Sequence, residues 1–272
     1  MDNATYQEMP CISSHWLKTM LKSPAECYWT HIDPQRQVNE STKAMQFGTL
    51  VHCLALTPLQ LSDEFIIASY ERRTKAGKAR YAELAATGKI IITPDEFERA
   101  QAIVAAMKAH PDAKLLLTGG KKEKTIIQER GHGLLPLKAR LDIHHENQRL
   151  VGELKTIHDI NQIKSTMQRY RYPLSAAFYA DMSASQSVHF IFVQTCEPYP
   201  ISVFEMPSQQ LQEGREQYQS ALQRFDDCWL KNEWPEAEPM TPDLEDDPLM
   251  MDFMPMNQSN QQVEWPVGEL AL

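Results

Sequence analysis

Three residues in the middle of the chain have the types and spacing for metal-assisted phosphodiester chemistry. Asp142 lies in PLKARLDI, and Glu153 and Lys155 lie in GELKT, all within the stretch 136–156. The stretch reads as two short strands joined by a polar turn. Residues two apart on a strand share a face, so Glu153 and Lys155 project together. A turn centred between Asn147 and Gln148 sets Asp142 directly opposite Glu153, with Cβ atoms about 4.5–5.5 Å apart. Two carboxylates that close repel each other unless a cation lies between them. Mg²⁺ suits the position, since it takes one or two carboxylates together with waters and substrate phosphate. Such an ion lowers the pKa of a water and neutralises charge building on the phosphate. Lys155 is then placed to orient that water or to stabilise the transition state. Taken alone, the same residues also describe a solvated hairpin with cross-strand ion pairs.

The elements that must position these residues are legible in the hydrophobic pattern. Leu137, Ala139 and Leu141 face one way, and Lys138, Arg140 and Asp142 the other, as in a strand that forms a cleft wall. Strands are expected over 124–129, 136–143 and 149–156. VHFIFVQT, at 188–195, is apolar throughout, as in a central buried strand. ISVFEM alternates and is expected to pair beside it. A helix is expected over 42–56 and carries His52. Thr93-Pro94-Asp95-Glu96 is a capping box that opens another. Ser208 is expected to cap a long helix to about Lys231, and short helices are expected near 13–21, 159–168 and 173–183. YERRTKAGKAR and CYWTHIDPQRQVNEST read as loops. The fold expected is α/β: a core sheet of about five strands flanked by helices, with an N-terminal helical section.

The composition excludes several classes. The 272 residues hold no apolar run near the roughly 20 residues that span a bilayer. The N-terminus lacks the basic region and apolar core of a secretory signal. No Walker A motif is present, which argues against ATP-driven unwinding within this chain. The five cysteines are odd in number and none forms a C-x-x-C pair. That fits reduced structural thiols in a cytoplasmic protein and argues against an iron–sulfur cluster. The net charge of −9 is concentrated in a tail. From Asn232 onward there are ten acidic residues and no Lys or Arg, which leaves 27 basic against 26 acidic residues before it. A near-neutral body is able to hold a basic groove. The organisation expected is one domain over 1–236 and an acidic, Pro/Met-rich, disordered tail over 237–272.

Several ordered blocks carry a resemblance over about residues 12–236. They are the S-x-WLKTMLKSPA helix, FGTLVHCLALTP with its G-T-x-x-H, RRTKAGK, TGKIIIT, ARLDI, GELKT, YRYPLSAAFYAD and DDCWLKNEWP. In this order they resemble the RecE/exonuclease VIII-type nucleases of the PD-(D/E)xK superfamily, near the RecB-like group. The resemblance implies a restriction-endonuclease-like mixed sheet and Mg²⁺-dependent 5′-to-3′ digestion of linear double-stranded DNA, leaving 3′ single strands for recombination. It implies a homo-oligomeric ring, commonly a tetramer, around the DNA, and a single-strand annealing protein from the same phage or prophage as partner. Carried over by motif, His52, Asp142, Glu153 and the Leu154 carbonyl hold metal, and Asp142, Glu153 and Lys155 are the catalytic set. An imidazole ligand is softer than Mg²⁺ prefers, so Mn²⁺ is expected to work too. The chain departs from the pattern at Ser175, which stands where Gln is expected in Q-x-x-x-Y. That leaves the contact made by the Gln open.

Other residues are candidates for DNA contact. Arg72, Arg73, Lys75 and Lys78 surround Gly77 and suit phosphates. Tyr170, Arg171, Tyr172 and Tyr179 suit stacking on or clasping a strand end, and core packing suits the tyrosines as well. Glu123 is expected to act at most as an outer carboxylate. His144 and His145 are expected to be exposed in the turn. Two other functions fit the same residues: a DNA-binding or assembly subunit with a degenerate site, and a different nuclease of the superfamily such as an endonuclease.

Overall fold

The computed structural model describes residues 3–36, 41–69 and 73–236. Arg72 and the tail 237–272 lie outside the described residues. In chain order the elements are α1 (Asn3–Glu8), α2 (Ser14–Met20), α3 (Pro24–Cys27), α4 (Lys43–Leu56), α5 (Leu61–Glu64), β1 (Phe65–Ile67), α6 (Lys75–Ala85), β2 (Ile90–Ile92), α7 (Pro94–Ala109) and α8 (Pro111–Leu117). They continue as β3 (Lys121–Gln128), β4 (Leu137–His145), β5 (Leu150–Ile157), α9 (Ile163–Arg169), α10 (Tyr172–Met182), β6 (Ser187–Gln194), β7 (Ile201–Glu205) and α11 (Ser208–Lys231).

The main sheet has the order β3-β4-β5-β6-β7. It is mixed, with β5 and β6 parallel and the other neighbours antiparallel. β1 and β2 form a separate parallel pair. This is the expected restriction-endonuclease-like α/β arrangement. The parallel β5–β6 connection is made through α9 and α10, as such crossovers require a helix.

Each face of the sheet buries its own core. On one, Leu137, Ala139, Leu141, Val188, Phe190 and Phe192 pack against Leu17 and Met20 of α2, Leu174 and Phe178 of α10, and Phe225 of α11. On the other, Ile143, Leu154, Ile191 and Val193 pack against Phe47, Leu50 and Val51 of α4 and Ile103 and Met107 of α7. Each large side chain so buried contributes about 1.5–3 kcal/mol. The helices earn their places by pattern. Leu211, Gly214, Tyr218, Ala221, Phe225 and Cys228 are the buried residues of α11 and recur every three or four positions. A Cβ at Gly214 would sit 2.2 Å from the Pro173 carbonyl oxygen, so only glycine lets α11 lie this close to α10.

Local chemistry sets the ends. Thr93 and Glu96 close the expected capping box at α7. Thr42 caps α4 by accepting from the Met45 N–H. Four local expectations are corrected. Ser208 is the first helical residue of α11 rather than its cap, which falls on Pro207. The basic segment is not a loop: Thr74 caps α6 by accepting from the Gly77 N–H, so Lys75 and Lys78 lie in its first turn. CYWTHI is helical, α3 running into a π-helical turn over Tyr28–Ile32. His144 and His145 end β4 instead of forming the turn. His144 is buried, and the His145 ring is 2.8 Å from the Leu116 carbonyl.

The N-terminal residues are tied to the sheet by a buried lysine. Lys138 is 2% exposed, and its ammonium donates to the carbonyls of Tyr6, Gln7 and Met9. Ile12 bridges in parallel to Leu137. This brings α2 against the sheet beside the hairpin of β4 and β5, where the candidate site lies.

Candidate metal centre

The β4–β5 ladder holds for three pairs, Ile143↔Gly152, His144↔Val151 and His145↔Leu150. Continuing that register would set Asp142 against Glu153, as the sequence predicts, but the ladder ends one step before them. The Asp142 carboxylate takes over instead, accepting from the Leu154 N–H at 2.8 Å. On the other edge of β4, Lys122 pairs with Ile143 and Lys124 with Leu141, while Glu123 and Asp142 do not pair. Glu123 adopts a left-handed conformation with φ 48°. A non-glycine residue held there inside a strand stores strain of about 1–3 kcal/mol, and such strain concentrates at functional sites. Leu141 packs in one core and Ile143 in the other, so the alternation of β4 also slips at Asp142.

These irregularities gather ligands. His52, Glu123 and Asp142 each offer one atom, and the three atoms lie within 4.8 Å of one another. His52 Nδ1 is 3.8 Å from Asp142 Oδ1. His52 reaches the sheet because Gly48, one turn earlier on α4, has no side chain. A Cβ there would meet Thr156 Oγ1 of β5 at 3.1 Å. The glycine of G-T-x-x-H thus permits the close helix–strand approach that aims the histidine. Lys155 Nζ is 2.7 Å from Glu153 Oε2 and 3.5 Å from Asp142 Oδ2. Glu153 is 3% exposed, and its other oxygen, Oε1, is buried without a hydrogen-bond partner.

Electrostatics follow from this crowding. Burial, then the Asp142 charge, pushes Glu123 up to about 8. The same two causes push Glu153 up to about 7, against the pull of Lys155. Burial works against the Lys155 charge, but Asp142 and Glu153 outweigh it and hold the ammonium well above its ordinary range. Burial lowers His52, which Asp142 and a hydrogen bond with the Leu154 backbone partly offset. The donor set, the burial that disfavours the charged forms of Glu123 and Glu153, and the orphaned Glu153 oxygen all fit a divalent cation.

The site opens into a cleft of about 520 Å³ lined by His52, Glu64, Lys122, Glu123, Arg140, Asp142, Lys155 and Tyr172, among others. Arg140 Nε lies 4.0 Å from Glu123 Oε2. The structure thus brings His52, Asp142 and Glu123 within reach of one another, with Lys155 between Asp142 and Glu153 and the Leu154 N–H on Asp142, whereas Glu153 is buried, lies outside that group of three and does not line the cleft. Glu64 of α5 is a further cleft carboxylate that the sequence reading did not single out; no spacing ties it to the hairpin. Tyr172 carries Lys155 Nζ 5.9 Å from its ring centroid, and the Tyr179 hydroxyl accepts from Ser14 at 3.2 Å. Arg73, Lys75 and Lys78 are exposed and do not line the cleft, and Tyr170 is exposed and stacks on Tyr172. Ser175 is buried in α10 and does not line the cleft either.

Residues 13–239 match the family described as a PDDEXK-like domain of unknown function, DUF3799. The chain belongs to this family. No curated protein matches the chain. Among solved structures it is similar to a protein from Eubacterium rectale described as a candidate exonuclease, with a TM-score of 0.63 and 14% identity over 89% of this chain and 91% of that one. At this identity the likeness shows the fold. A phage-related exonuclease from Haemophilus somnus 129PT aligns with a TM-score of 0.37 and 10% identity over 85% of this chain and 100% of that one. No argument rests on that second likeness. Among the described residues no helix is long and apolar enough to cross a membrane.

Proposed function

We propose that this DUF3799 chain is a metal-dependent exodeoxyribonuclease that degrades linear double-stranded DNA from 5′ to 3′ and leaves 3′ single strands for recombination. The observation that carries the reading is the Asp142 carboxylate, held between the Leu154 N–H, the Lys155 ammonium and His52 at the point where β4 and β5 part. His52, Glu123, Asp142 and Glu153, with the Leu154 carbonyl, would hold Mg²⁺, and the imidazole admits Mn²⁺ as well. When bound, the ion supplies charge neutralisation on the scissile phosphate and a more acidic water.

The chain's own groups do the rest. Lys155 keeps its proton, since two carboxylates hold it above its ordinary range. It therefore acts as a fixed positive charge beside the non-bridging phosphate oxygens and not as a general base. Asp142 orients Lys155 and is itself fixed by the Leu154 N–H. Tyr172, at the cleft wall, offers a ring for a base at the strand end. The polarity, the cytoplasmic location, a ring of identical subunits, commonly four in the family it resembles, and a single-strand annealing partner follow the RecE/exonuclease VIII-type resemblance. Arg72, Arg73, Lys75 and Lys78 would then face DNA phosphates outside the cleft.

The test is digestion, with Mg²⁺, of linear duplexes labelled at the 5′ or the 3′ end, beside a covalently closed circle. Early release of 5′ label with the circle intact is expected. Cutting of the circle would make the chain an endonuclease. Duplex binding without any cleavage would make it a binding subunit with a degenerate site.

A further inference from the structure

Lys18 sits in α2, in the block WLKTML, and its surroundings are unusual for a lysine. It is half-buried, and its ammonium lies 5.3 Å from the centroid of the Tyr172 ring, the same ring that Lys155 approaches at 5.9 Å. The two cations share one aromatic ring, but they are compensated differently. Lys155 has Asp142 and Glu153 within ion-pair reach. Lys18 makes no ion pair and no hydrogen bond among the described residues. Its interaction partners are Tyr172, the repelling charges of Lys155 and Arg171, and the attracting charge of Glu153. A half-buried cation beside a second one is costly, and a cation–π contact returns only about 0.5–2 kcal/mol. An arrangement of this kind makes physical sense if an anion completes it.

Nearby structure indicates which anion. Tyr172 lines the catalytic cleft. Arg171, next to it, is held in a left-handed conformation with φ 49° and lines a second groove of about 690 Å³, shared with Asn161, Lys164 and Gln168. Lys18 lines neither space itself; it is tied to their boundary through the ring of Tyr172, which lines the cleft next in sequence to the groove residue Arg171. It is anchored there by the Lys138 strap, which binds the N-terminal residues to the sheet.

We propose that Lys18 is a substrate-binding residue: with Tyr172 it holds the phosphate next to the scissile one, on the side where the strand passes from the cleft toward the Arg171 groove. This deepens the nuclease reading and rests on it. Lys18 contributes no acid–base step; it fixes the strand so that the scissile phosphate meets Lys155 and the carboxylates.

The experiment measures the affinity of a short linear duplex for the Glu153→Gln chain, without divalent cation, over a range of salt concentrations. Lys18→Ala is added to that background, with Lys18→Arg as rescue and Lys22→Ala as control. Lys22 lies next to the C-terminus of α2, is 63% exposed and pairs with Glu26. Each phosphate neutralised contributes about 0.7–0.9 to the slope of log affinity against log salt. Lys18→Ala is expected to lower the slope by that amount and the affinity by about tenfold. Its melting temperature should be unchanged or higher, because an uncompensated charge is removed. Lys18→Arg should restore slope and affinity, and Lys22→Ala should alter neither. A slope for Lys18→Ala equal to that of its parent, with the parent binding duplex, overturns the Lys18 contact and leaves the nuclease reading standing. Failure of the parent to bind duplex at all contradicts the nuclease reading and this inference with it.

Discussion

The two edges of β5 are built for different ends. Toward β6 the strand pairs in parallel over eight residues, Leu150 to Ile157, without interruption. Toward β4 it pairs over three and then separates at Asp142. The regular edge is backed by stacked Phe190, Phe192 and Phe204 and gives the site a stiff wall. The irregular edge gives up ladder hydrogen bonds worth about 0.5–1.5 kcal/mol each. It recovers part of that through the charge-assisted bond from the Leu154 N–H to Asp142. At the start of β4, Ile12 bridges to Leu137, its backbone bonding to Pro136 and Lys138. One strand thus carries both the frame and the chemistry, and the chemistry appears where regular pairing stops. The same contrast separates three lysines. Lys138 is satisfied by three carbonyls and is structural, Lys155 is satisfied by two carboxylates, and Lys18 by neither.

Substitutions on the two edges should separate stability from activity. Lys155→Ala is expected to lower cleavage by about 10³-fold or more, since it removes a preorganised charge beside the phosphate. Its melting temperature should stay close to that of the parent; a melting shift as large as a core truncation produces would place Lys155 in the frame instead. Phe190→Ala, on the regular edge, is expected to cost about 3–5 kcal/mol of stability by urea unfolding. Full activity per folded molecule should remain, and a specific loss there would blur the contrast.

Smaller effects test the carboxylates. Glu123→Gln should weaken divalent-cation affinity, measured by calorimetry, by more than the about 10–100-fold that loss of an outer partner costs, with the fold retained. A loss within that range would return Glu123 to the outer role that sequence reasoning gave it, and unchanged affinity would remove it from the site. A pH dependence follows from burial. Without added cation Glu123 is held up to about 8 and Glu153 to about 7, against an ordinary value of 4.5. Between 4.5 and about 8 the folded chain keeps protons that the unfolded chain has released. Stability from these groups is therefore complete below 4.5 and is lost as pH rises through the folded values. Cation binding favours the ionised forms, so the gain in melting temperature on adding Mg²⁺ should be larger at pH 8 than at pH 6. An equal gain at both would mean that these carboxylates do not bind the ion.

Much of this was legible before any coordinates. Alternating apolar residues located β4 and β5, and the continuous apolar run located β6, because a strand buried on both faces has no polar side. The hairpin register followed from the turn position. Asp142, Glu153 and Lys155 came together for that reason, and His52 was added by the ordered motifs. The rest depended on backbone geometry that side-chain pattern does not encode. Glu123 looked like an edge residue because a positive φ in a non-glycine residue leaves no mark in sequence. His144 and His145 looked exposed because two histidines near a turn are usually solvated, whereas β4 runs on through both. Lys138 read as part of a cleft wall and Lys18 was not singled out; the burial of Lys138 arises from how the N-terminal segment packs on the sheet.

The most direct measurement is cleavage of a linear duplex by the parent chain and by Glu153→Gln, each with Mg²⁺ and with chelator. If the parted strands form a metal-dependent nuclease site, only the parent with Mg²⁺ releases nucleotides, while the variant keeps its fold and its duplex binding. Equal cleavage by Glu153→Gln, or cleavage that persists in chelator, would contradict the account.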